Sequence, residues 1–400
     1  MTKELEPVIL SAVRTPIGKF QGALSALPAP RLGAIAVKAA VERAGLRRLD
    51  EIDELLMGNV VSAGVGQAPA RQAAIFAGIP ATVGATTLNK VCGSGLKAVM
   101  SAAQAIKAGD GRLFVAGGME SMSRAPFLVH ARNGELRYGD SRLVDALLHD
   151  GLWDPFENWN MGMAAEFIAQ EYQVTREAMD RYALESHRKA VAASDAGSFK
   201  AEIAAVELAS QKGQLVVVDT DEGPRRDTSL QALAALKPAF KPDGSVTAGN
   251  APGLNDGAAA AVVASRAYAE KNGLQPLAHI VAYAQAAVEP KYLFAAPATV
   301  IPLLLQKAGW TLKDVQLVEL NEAFAAQVLA NGYALLQAGW EWHTVNVNGG
   351  AIALGHPVGA SGARVLATLI HALRARGLQR GIAALCLGGA EAVAMAVEIE

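Results

Sequence analysis

Apolar residues recur at helical spacing in two well-separated parts of the chain. The first set is Leu96, Val99, Met100, Ala103 and Ile106, and the second is Val365, Leu366, Leu369, Ile370 and Leu373. This 3.6-residue period predicts two amphipathic helices that begin near Ser94 and Ser361. Gly109 and Gly377 follow the two patterns, at the place where a glycine C-cap is expected. A short apolar strand with a Gly-Gly pair comes after each helix.

An earlier pair of segments matches in the same way. Ala44-Gly45 leads to a strand pattern at 55–59, and Ala308-Gly309 leads to another at 318–321. Strand, helix and strand therefore alternate twice in one order, which predicts two similar α/β units with buried sheets. Chains rich in alanine and glycine match themselves easily by chance, but the shared helix start, helix length and strand favour duplication.

The region between the two units has a different composition. Residues 121–250 hold two tryptophans and a polar stretch at 219–228. We interpret this region as an inserted loop domain over the mouth of the core, with helices at 163–171 and 176–192. A chain of 400 residues is also expected to form two or three domains. The predicted division is residues 1–120 with 251–270 as the N-terminal half, 121–250 as the loop domain, and 271–400 as the C-terminal half.

Composition and charge narrow the class of protein. Hydrophobic residues are 52% and charged residues 18% of the chain, whereas a charged share of about 25% is usual. This excess of hydrophobic over charged residues predicts layered packing, a subunit interface, or both. The net charge of −2 gives no electrostatic basis for nucleic-acid binding. No apolar run is long enough for a transmembrane helix and the N-terminal segment does not resemble a signal peptide, so we expect no membrane partner.

The chain has two cysteines, and they match neither a disulfide framework nor a zinc-binding spacing. We therefore expect two free thiols, no metal ion, and a reducing compartment, most simply the cytoplasm. Both cysteines, Cys92 and Cys386, lie in glycine-rich turns, and a third such turn carries His356. A free cysteine is usually a small buried hydrophobic residue, but three such turns together indicate acyl-thioester chemistry.

The turn before the first predicted helix places Cys92 at a helix N-terminus. There the helix dipole favours thiolate, which is the nucleophilic form; a cysteine that only caps a buried helix is the alternative. His356 lies between Gly355 and Pro357, so its ring is uncrowded and is suited to take the proton of Cys92. A histidine held by backbone carbonyls in a loop is the alternative for this residue.

Three further residues complete the predicted site. Cys386 ends a buried strand and is expected to act as a second acid or base. The backbone N–H groups of Gly388 and Cys92 are suited to form an oxyanion hole. Asn321 follows a strand and is expected to hold a water through its amide, or else to be an ordinary helix N-cap.

With these residues in place, the chain resembles the thiolase family almost from end to end. The motifs that carry the resemblance are 14–18 (RTPIG), 57–60 (MGNV), 66–72 (GQAPARQ), 117–123 (GGMESMS), 247–250 (TAGN), 254–259 (LNDGAA), 321–324 (NEAF) and 355–357 (GHP). Each motif alone is weak, but their combination and order are specific.

The resemblance implies an α/β fold, a duplicated five-layer α/β/α/β/α core with an inserted loop domain. It implies a thiolase that forms or cleaves 3-ketoacyl-CoA by ping-pong chemistry. Cys92 would become acylated, His356 would activate it, and Cys386 would move the α-carbon proton. The implied reaction is acetyl-CoA + acetyl-CoA to acetoacetyl-CoA + CoA, or its reverse. No cofactor is implied, because coenzyme A thioesters are the substrates.

The resemblance also implies a coenzyme A site and an oligomer. The substrate-binding residues would be Arg225 near the adenine, Met161, Phe240 and Phe324 along the channel, and Ala248 and Gly249 in the 247–250 motif. The expected assembly is a homotetramer or a homodimer, and the segment 124–142, with a turn at 132–134, is the expected arm between dimers.

Three departures from the family pattern leave the acyl length open. Ala390-Glu391 stand where the glycine run usually continues, and Pro252 stands where a serine often contacts pantetheine. Tyr292-Leu293-Phe294 replace a region often rich in methionine and glycine. A longer-chain 3-ketoacyl-CoA thiolase is therefore the main alternative. A decarboxylating ketoacyl synthase does not fit the basic thiol Cys386, and a silent lipid-binding relative does not fit a complete set of catalytic residues.

Overall fold

Mixed strands and helices fill the computed structural model, which describes residues 3–129, 131, 138–209 and 214–400. Its strands are β1 Pro7–Arg14, β2 Gly18–Lys19, β3 Glu54–Gly58, β4 Gly84–Leu88, β5 Leu113–Ser121, β6 Phe127–Leu128, β7 Val144–Asp145, β8 Trp153–Asp154, β9 Trp159–Asn160, β10 Val206–Ala209, β11 Leu215–Val218, β12 Asn255–Ser265, β13 Ala278–Ala287, β14 Leu317–Leu320, β15 Arg380–Leu387 and β16 Glu391–Ile399. Its α-helices are α1 Ala29–Arg43, α2 Pro69–Phe76, α3 Ser94–Ala108, α4 Met161–Glu171, α5 Arg176–Asp195, α6 Leu230–Ala234, α7 Arg266–Lys271, α8 Ala296–Ala308, α9 Ala325–Leu335, α10 Ala351–Leu354 and α11 Val358–Arg376.

The main sheet consists of two halves with the same pairing pattern. Its order is β14-β15-β16-β13-β1-β12-β5-β3-β4. In the first half β3 pairs parallel with β5, and β5, β12 and β1 then pair antiparallel. In the second half β14 pairs parallel with β15, and β15, β16 and β13 then pair antiparallel. The predicted duplication is therefore confirmed.

The helices form three layers around these half-sheets. Helices α3 and α11 pack against each other and contact strands of both halves. Helices α1 and α2 cover the outer face of the first half, and α8 and α9 cover that of the second. Among the described residues, β1 and β13 join the half-sheets through two residue pairs, Val8 with His279 and Ile9 with Ala278. The order is the predicted α/β/α/β/α arrangement of five layers, with three apolar cores between them.

The two central helices end as the glycine pattern predicts. The C-caps Gly109 and Gly377 have φ angles of 83° and 64°. However, α11 begins at Val358, not near Ser361, because Pro357 fixes the backbone for the first turn. It is also buried on nearly every side, since it lies between two half-sheets. The predicted amphipathic pattern, with one exposed face, therefore does not describe α11, whose residues from Val358 to Ile370 are all buried.

The intervening region packs over the core and is anchored by buried ion pairs. Helix α4 begins two residues before the predicted 163–171, because Asn160 caps its N-terminus. Helix α5 begins at the predicted residue, after the Thr175 cap, and continues past the predicted 176–192 to Asp195. The fully buried Arg14 of β1 pairs with Glu202 at 2.5 Å and with Asp221 at 2.6 Å. The predicted turn at 132–134 lies outside the described residues. Within the described ranges, no helix has the length and apolar character needed to cross a lipid bilayer.

Close backbone contact across layers yields a test of the packing. A methyl group at Gly118 of β5 would clash with the carbonyl oxygen of Gly359, whereas one at Gly84 of β4 would meet nothing within 4 Å. Gly118→Ala is expected to lower the free energy of unfolding by roughly 1–3 kcal/mol, because an overpacked core must shift. Gly84→Ala is the matched control and should stay close to wild type in urea denaturation. Equal midpoints for the two variants would contradict this packing.

Candidate active site

Loops from both halves and from the intervening region converge on one apolar cavity of about 210 Å³. Seven of the residues singled out from the sequence line it: Cys92, Met161, Phe240, Phe324, His356, Cys386 and Gly388. They are far apart along the chain, so the fold alone brings them together. The cavity therefore joins two thiols, an imidazole and an oxyanion-hole candidate.

Cys92 lies in a tight turn between β4 and α3. The hydroxyl of Ser94 accepts the Lys90 N–H at 2.8 Å and donates to the Val91 carbonyl at 2.7 Å, which closes the turn. Val91 has a φ of 44°, a left-handed conformation that is strained for a β-branched residue. A side chain at Gly93 would clash with Leu387. The turn thus holds the thiol against the loop that follows Cys386.

Burial, rather than the helix terminus, dominates the ionisation of Cys92. It raises the pKa of the thiol to about 11, although the N–H groups of Gly388 and of Cys92 itself act in the opposite direction. The net shift of the thiol pKa is therefore opposite to the one expected from the helix N-terminus. At neutral pH the nucleophile carries its proton, and a base must remove that proton during the reaction.

His356 is held as a neutral base by the start of α11. Its Nδ1 lies 2.6 Å from the hydroxyl oxygen of Ser361, and that hydroxyl donates to the Pro357 carbonyl at 2.9 Å. Since the hydroxyl proton is committed to Pro357, Nδ1 must be the donor to Ser361, which leaves the lone pair on Nε2. Burial, with a smaller effect of Arg364, lowers the pKa of His356 to about 3.

Asn321 lies behind His356, not in the wall of the cavity. It is 1% exposed, and its Nδ2 is 3.4 Å from Nε2 of His356. Its Oδ1 accepts from Nη2 of Arg364 at 3.2 Å. The cap of the next helix, α9, is Phe324, so Asn321 is not the helix N-cap that was the alternative.

Cys386 ends β15 and is 1% exposed. Burial raises the pKa of its thiol well above the ordinary value, and the nearby Cys92 adds to this effect. Both sulfur atoms are therefore protonated at rest, beside a neutral imidazole. Such a site contains a proton donor, a proton acceptor and a nucleophile without a net charge.

The predicted coenzyme A residues divide between two adjoining cavities. Arg225 and Ala248 line a second cavity of about 300 Å³, which shares the segment 251–254 with the first. Gly249 lines neither cavity. It is buried, and a side chain there would meet Leu233 at 2.5 Å, so it serves close packing on α6.

The three departures from the family pattern differ in their effect on this site. Pro252 lines both cavities, and Phe294 lines the first. Tyr292 instead packs its ring on Phe167, and Ala390 is buried away from the cavity wall. The expected bulk beyond Gly388 therefore does not enter the cavity, whereas that of Phe294 does.

Several residues that shape the site were not identified from the sequence. Ser361 and Arg364 hold His356 and Asn321, and Asn255 accepts the His356 N–H at 2.9 Å. A π-helical segment, Leu147–Leu152, supplies apolar wall residues. The available signal was a polar stripe at 361, 364 and 368 on a helix whose other residues up to Ile370 are apolar or glycine. Within the described ranges no group of three or more metal-ligating side chains converges.

A nucleophilic thiol, a neutral histidine and a second thiol in a duplicated five-layer core define an enzyme class that works on acyl thioesters. Residues 7–267 match the family model "Thiolase, N-terminal domain" and residues 274–399 match "Thiolase, C-terminal domain". The chain belongs to the thiolase family.

Relatives and solved structures agree with this assignment. The chain is 53% identical over 391 residues to an acetyl-CoA acetyltransferase of Cupriavidus necator, which covers 98% of both chains. It is 51% identical to a Pseudomonas aeruginosa protein of the same name, over 97% of this chain and 98% of that one. The crystal structure of the Bacillus anthracis acetyl-CoA acetyltransferase matches with a TM-score of 0.95, 42% identity and 99% coverage of each chain.

The Ser361 contact yields a test of the histidine geometry. Ser361→Ala removes the acceptor for Nδ1–H of His356, so the ring loses its fixed tautomer and orientation. We expect kcat for acetoacetyl-CoA thiolysis to fall roughly 10- to 100-fold with little change in KM. Ser11→Ala is the matched control, because that buried hydroxyl donates to Ala40 at 2.7 Å, outside the residues that line the cavity. A wild-type kcat in Ser361→Ala would show that the contact is dispensable.

Proposed function

We propose that this chain is an acetyl-CoA acetyltransferase that interconverts two acetyl-CoA molecules with acetoacetyl-CoA and coenzyme A. The observation that carries the proposal is the single cavity shared by Cys92, His356, Cys386 and the Gly388 backbone. The adjoining cavity beside Arg225 supplies space for the rest of a coenzyme A molecule. The names of the relatives, at about half identity over nearly the whole chain, support the same substrate.

The first half-reaction uses the proton states of the resting site. Nε2 of His356 takes the proton of Cys92 as the sulfur attacks the 3-keto carbon of acetoacetyl-CoA. The N–H groups of Cys92 and Gly388 stabilise the tetrahedral oxyanion. The C2–C3 bond then breaks, and the electron pair forms the enolate of acetyl-CoA. Cys386 gives its proton to C2, while the protonated His356 and a water held by the Asn321 amide stabilise the enolate oxygen.

The second half-reaction restores the site. The Cys386 thiolate takes the proton of an incoming coenzyme A thiol, and the new thiolate attacks acetyl-Cys92. The oxyanion again forms at the N–H groups of Cys92 and Gly388. As the Cys92 sulfur leaves, it recovers a proton from His356. Condensation is the same sequence in reverse, in which Cys386 removes the α-carbon proton.

The remaining expectations form part of this proposal. Met161, Phe240 and Phe324 line the pantetheine and acyl channel, Arg225 and Ala248 lie by the nucleotide end, and coenzyme A thioesters are the only small molecules required. The proposed domain division is residues 1–120 with 251–270 as the N-terminal half, 121–250 as the loop domain, and 271–400 as the C-terminal half. The two free thiols suit a reducing cytoplasm, and a homotetramer or homodimer is the proposed assembly.

Acylation of Cys92 is the most direct test. Incubation with acetyl-CoA is expected to add one acetyl group to the wild-type mass, and peptide mapping should place it on Cys92. Cys92→Ala should show no adduct. Cys386→Ser is the matched control, because it keeps the nucleophile: it should form the adduct but lose most turnover of acetoacetyl-CoA. An unmodified wild type, or an adduct in Cys92→Ala, would reject the mechanism.

The acyl length is tested at Phe294. This residue is 3% exposed, lines the cavity, and packs its ring 5.3 Å from that of Phe324. Because it limits the space beside Cys386, acetoacetyl-CoA is favoured over longer substrates. Phe294→Leu should raise the kcat/KM ratio of 3-ketohexanoyl-CoA to acetoacetyl-CoA by roughly tenfold or more.

Tyr292→Leu provides the control for this prediction. Tyr292 lies on the same 3-10 helix, Pro290–Ala295, but does not line the cavity. Its substitution should leave the substrate ratio unchanged. Since a ratio measured on one preparation does not depend on the folded fraction, loss of stability cannot imitate the effect. Equal ratios in the two variants would show that Phe294 does not set the length.

A further inference from the structure

Helix α11 holds the catalytic imidazole from two sides. Ser361 contacts Nδ1 of His356 directly, at 2.6 Å. Arg364 acts through a second residue: it donates to Asn321, whose Nδ2 lies 3.4 Å from Nε2 of the same ring. Positions 361 and 364 are three residues apart on a helix and therefore lie on one face. One helix thus sets both nitrogen atoms of the ring.

The guanidinium of Arg364 is an unusual group for this location. It is 2% exposed, and its Nε and Nη1 have no hydrogen-bond partner among the described residues. Glu319 is equally buried, and its Oε1 also has no partner there. Buried charges that are incompletely paired contribute little to stability compared with apolar residues of the same size. The contact of Arg364 with Asn321 therefore points to a role for the guanidinium in the site.

The chemistry of arginine restricts how the Asn321 amide can be oriented. A side-chain amide has an acceptor end and a donor end, and it can rotate by half a turn. A guanidinium has only donors, so the carbonyl oxygen of Asn321 must face Arg364. The NH₂ group is then directed toward His356. In the reversed orientation the amide would present an oxygen, which cannot donate a hydrogen bond, on the side where the substrate's enolate oxygen develops.

We propose that Arg364 is a positioning residue that fixes the Asn321 amide with its N–H donors toward the reacting oxygen beside His356. The proposal rests on the proposed thiolase reaction, in which that oxygen belongs to the enolate. Arg364 itself does not line the cavity. Where His356 is neutral at rest, Arg364 acts on the transition state through the orientation of Asn321, so its loss is expected to lower kcat with little effect on substrate binding.

The charge of Arg364 has a second, separable effect. Arg364 is the charged neighbour that helps to keep the pKa of His356 low, while the cavity also contains the thiols of Cys92 and Cys386. The titratable groups around Arg364 are Glu319, Arg14, Glu202 and Glu322, and burial raises the pKa of Glu319 to about 8. Removing the guanidinium charge therefore raises the pKa of His356. The acidic limb of the kcat/KM profile should then move to higher pH.

Four variants separate positioning from folding. Arg364→Met should lower kcat for acetoacetyl-CoA thiolysis about 10- to 100-fold, with KM nearly unchanged. Glu319→Gln keeps the contact between Arg364 and Asn321 and should keep wild-type kcat. The double variant Arg364→Met/Glu319→Gln leaves neither charge unpaired, so it should fold and keep the loss in kcat. Arg364→Lys retains the charge but not the planar fork, so it should lose kcat without moving the acidic limb.

A double-mutant cycle with Asn321→Ala decides whether Arg364 acts through that amide. In the Asn321→Ala background, Arg364→Met should cost less than about twofold in kcat, because there is no amide left to orient. Full additivity, or wild-type kcat in both Arg364→Met/Glu319→Gln and Arg364→Lys, would overturn the proposal. If Arg364→Met/Glu319→Gln does not fold, the kcat of Arg364→Lys alone tests the positioning role. A folded wild type without thiolysis would instead reject the proposed function.

Discussion

The site depends on two helices that meet backbone to backbone at their first turns. A methyl group at Gly95 of α3 would lie 2.7 Å from the amide nitrogen of Ala363 in α11, and one at Gly362 would clash with Leu96. Glycine alone permits this approach. Cys92 precedes α3 by two residues and His356 precedes α11 by two. The contact between the helix starts therefore brings the thiol and the imidazole to one cavity.

A buried carboxylate stabilises the same junction from below. Glu120, at the end of β5, accepts the N–H groups of Val60 and Gly359 at 3.0 Å each, and that of Val61 at 3.2 Å. It thus satisfies one of the unpaired N–H groups in the first turn of α11. Because Gly359 follows His356 so closely, this contact fixes the backbone that carries the histidine. The close backbone contact between Gly118 and Gly359 also fixes this part of the backbone.

Burial of the site explains why its residues are neutral at rest. Burial raises the pKa of both thiols and lowers that of His356, so one cause suppresses every charge in the site. Transfer of a proton from Cys92 to His356 then creates an ion pair only when substrate is present to receive it. The Gly388 N–H and the Asn321 amide are already in place for the negative charge that follows, so little reorganisation is needed.

Features set by neighbouring residues were predictable from the sequence, whereas features set by tertiary contacts were not. The α3 helix, its Gly109 cap and the duplicated order of elements were predictable, because periodicity and capping are properties of neighbouring residues. The start of α11 and its burial on all sides were not, since they depend on a second half-sheet contributed by distant segments. The expected direction of the Cys92 pKa shift was wrong for the same reason. A helix N-terminus can be predicted from a motif, whereas the desolvation that outweighs it arises only when the loops close around the sulfur. Arg364 is a further example, because this arginine acquires its role only through Asn321, which lies 43 positions away in a loop.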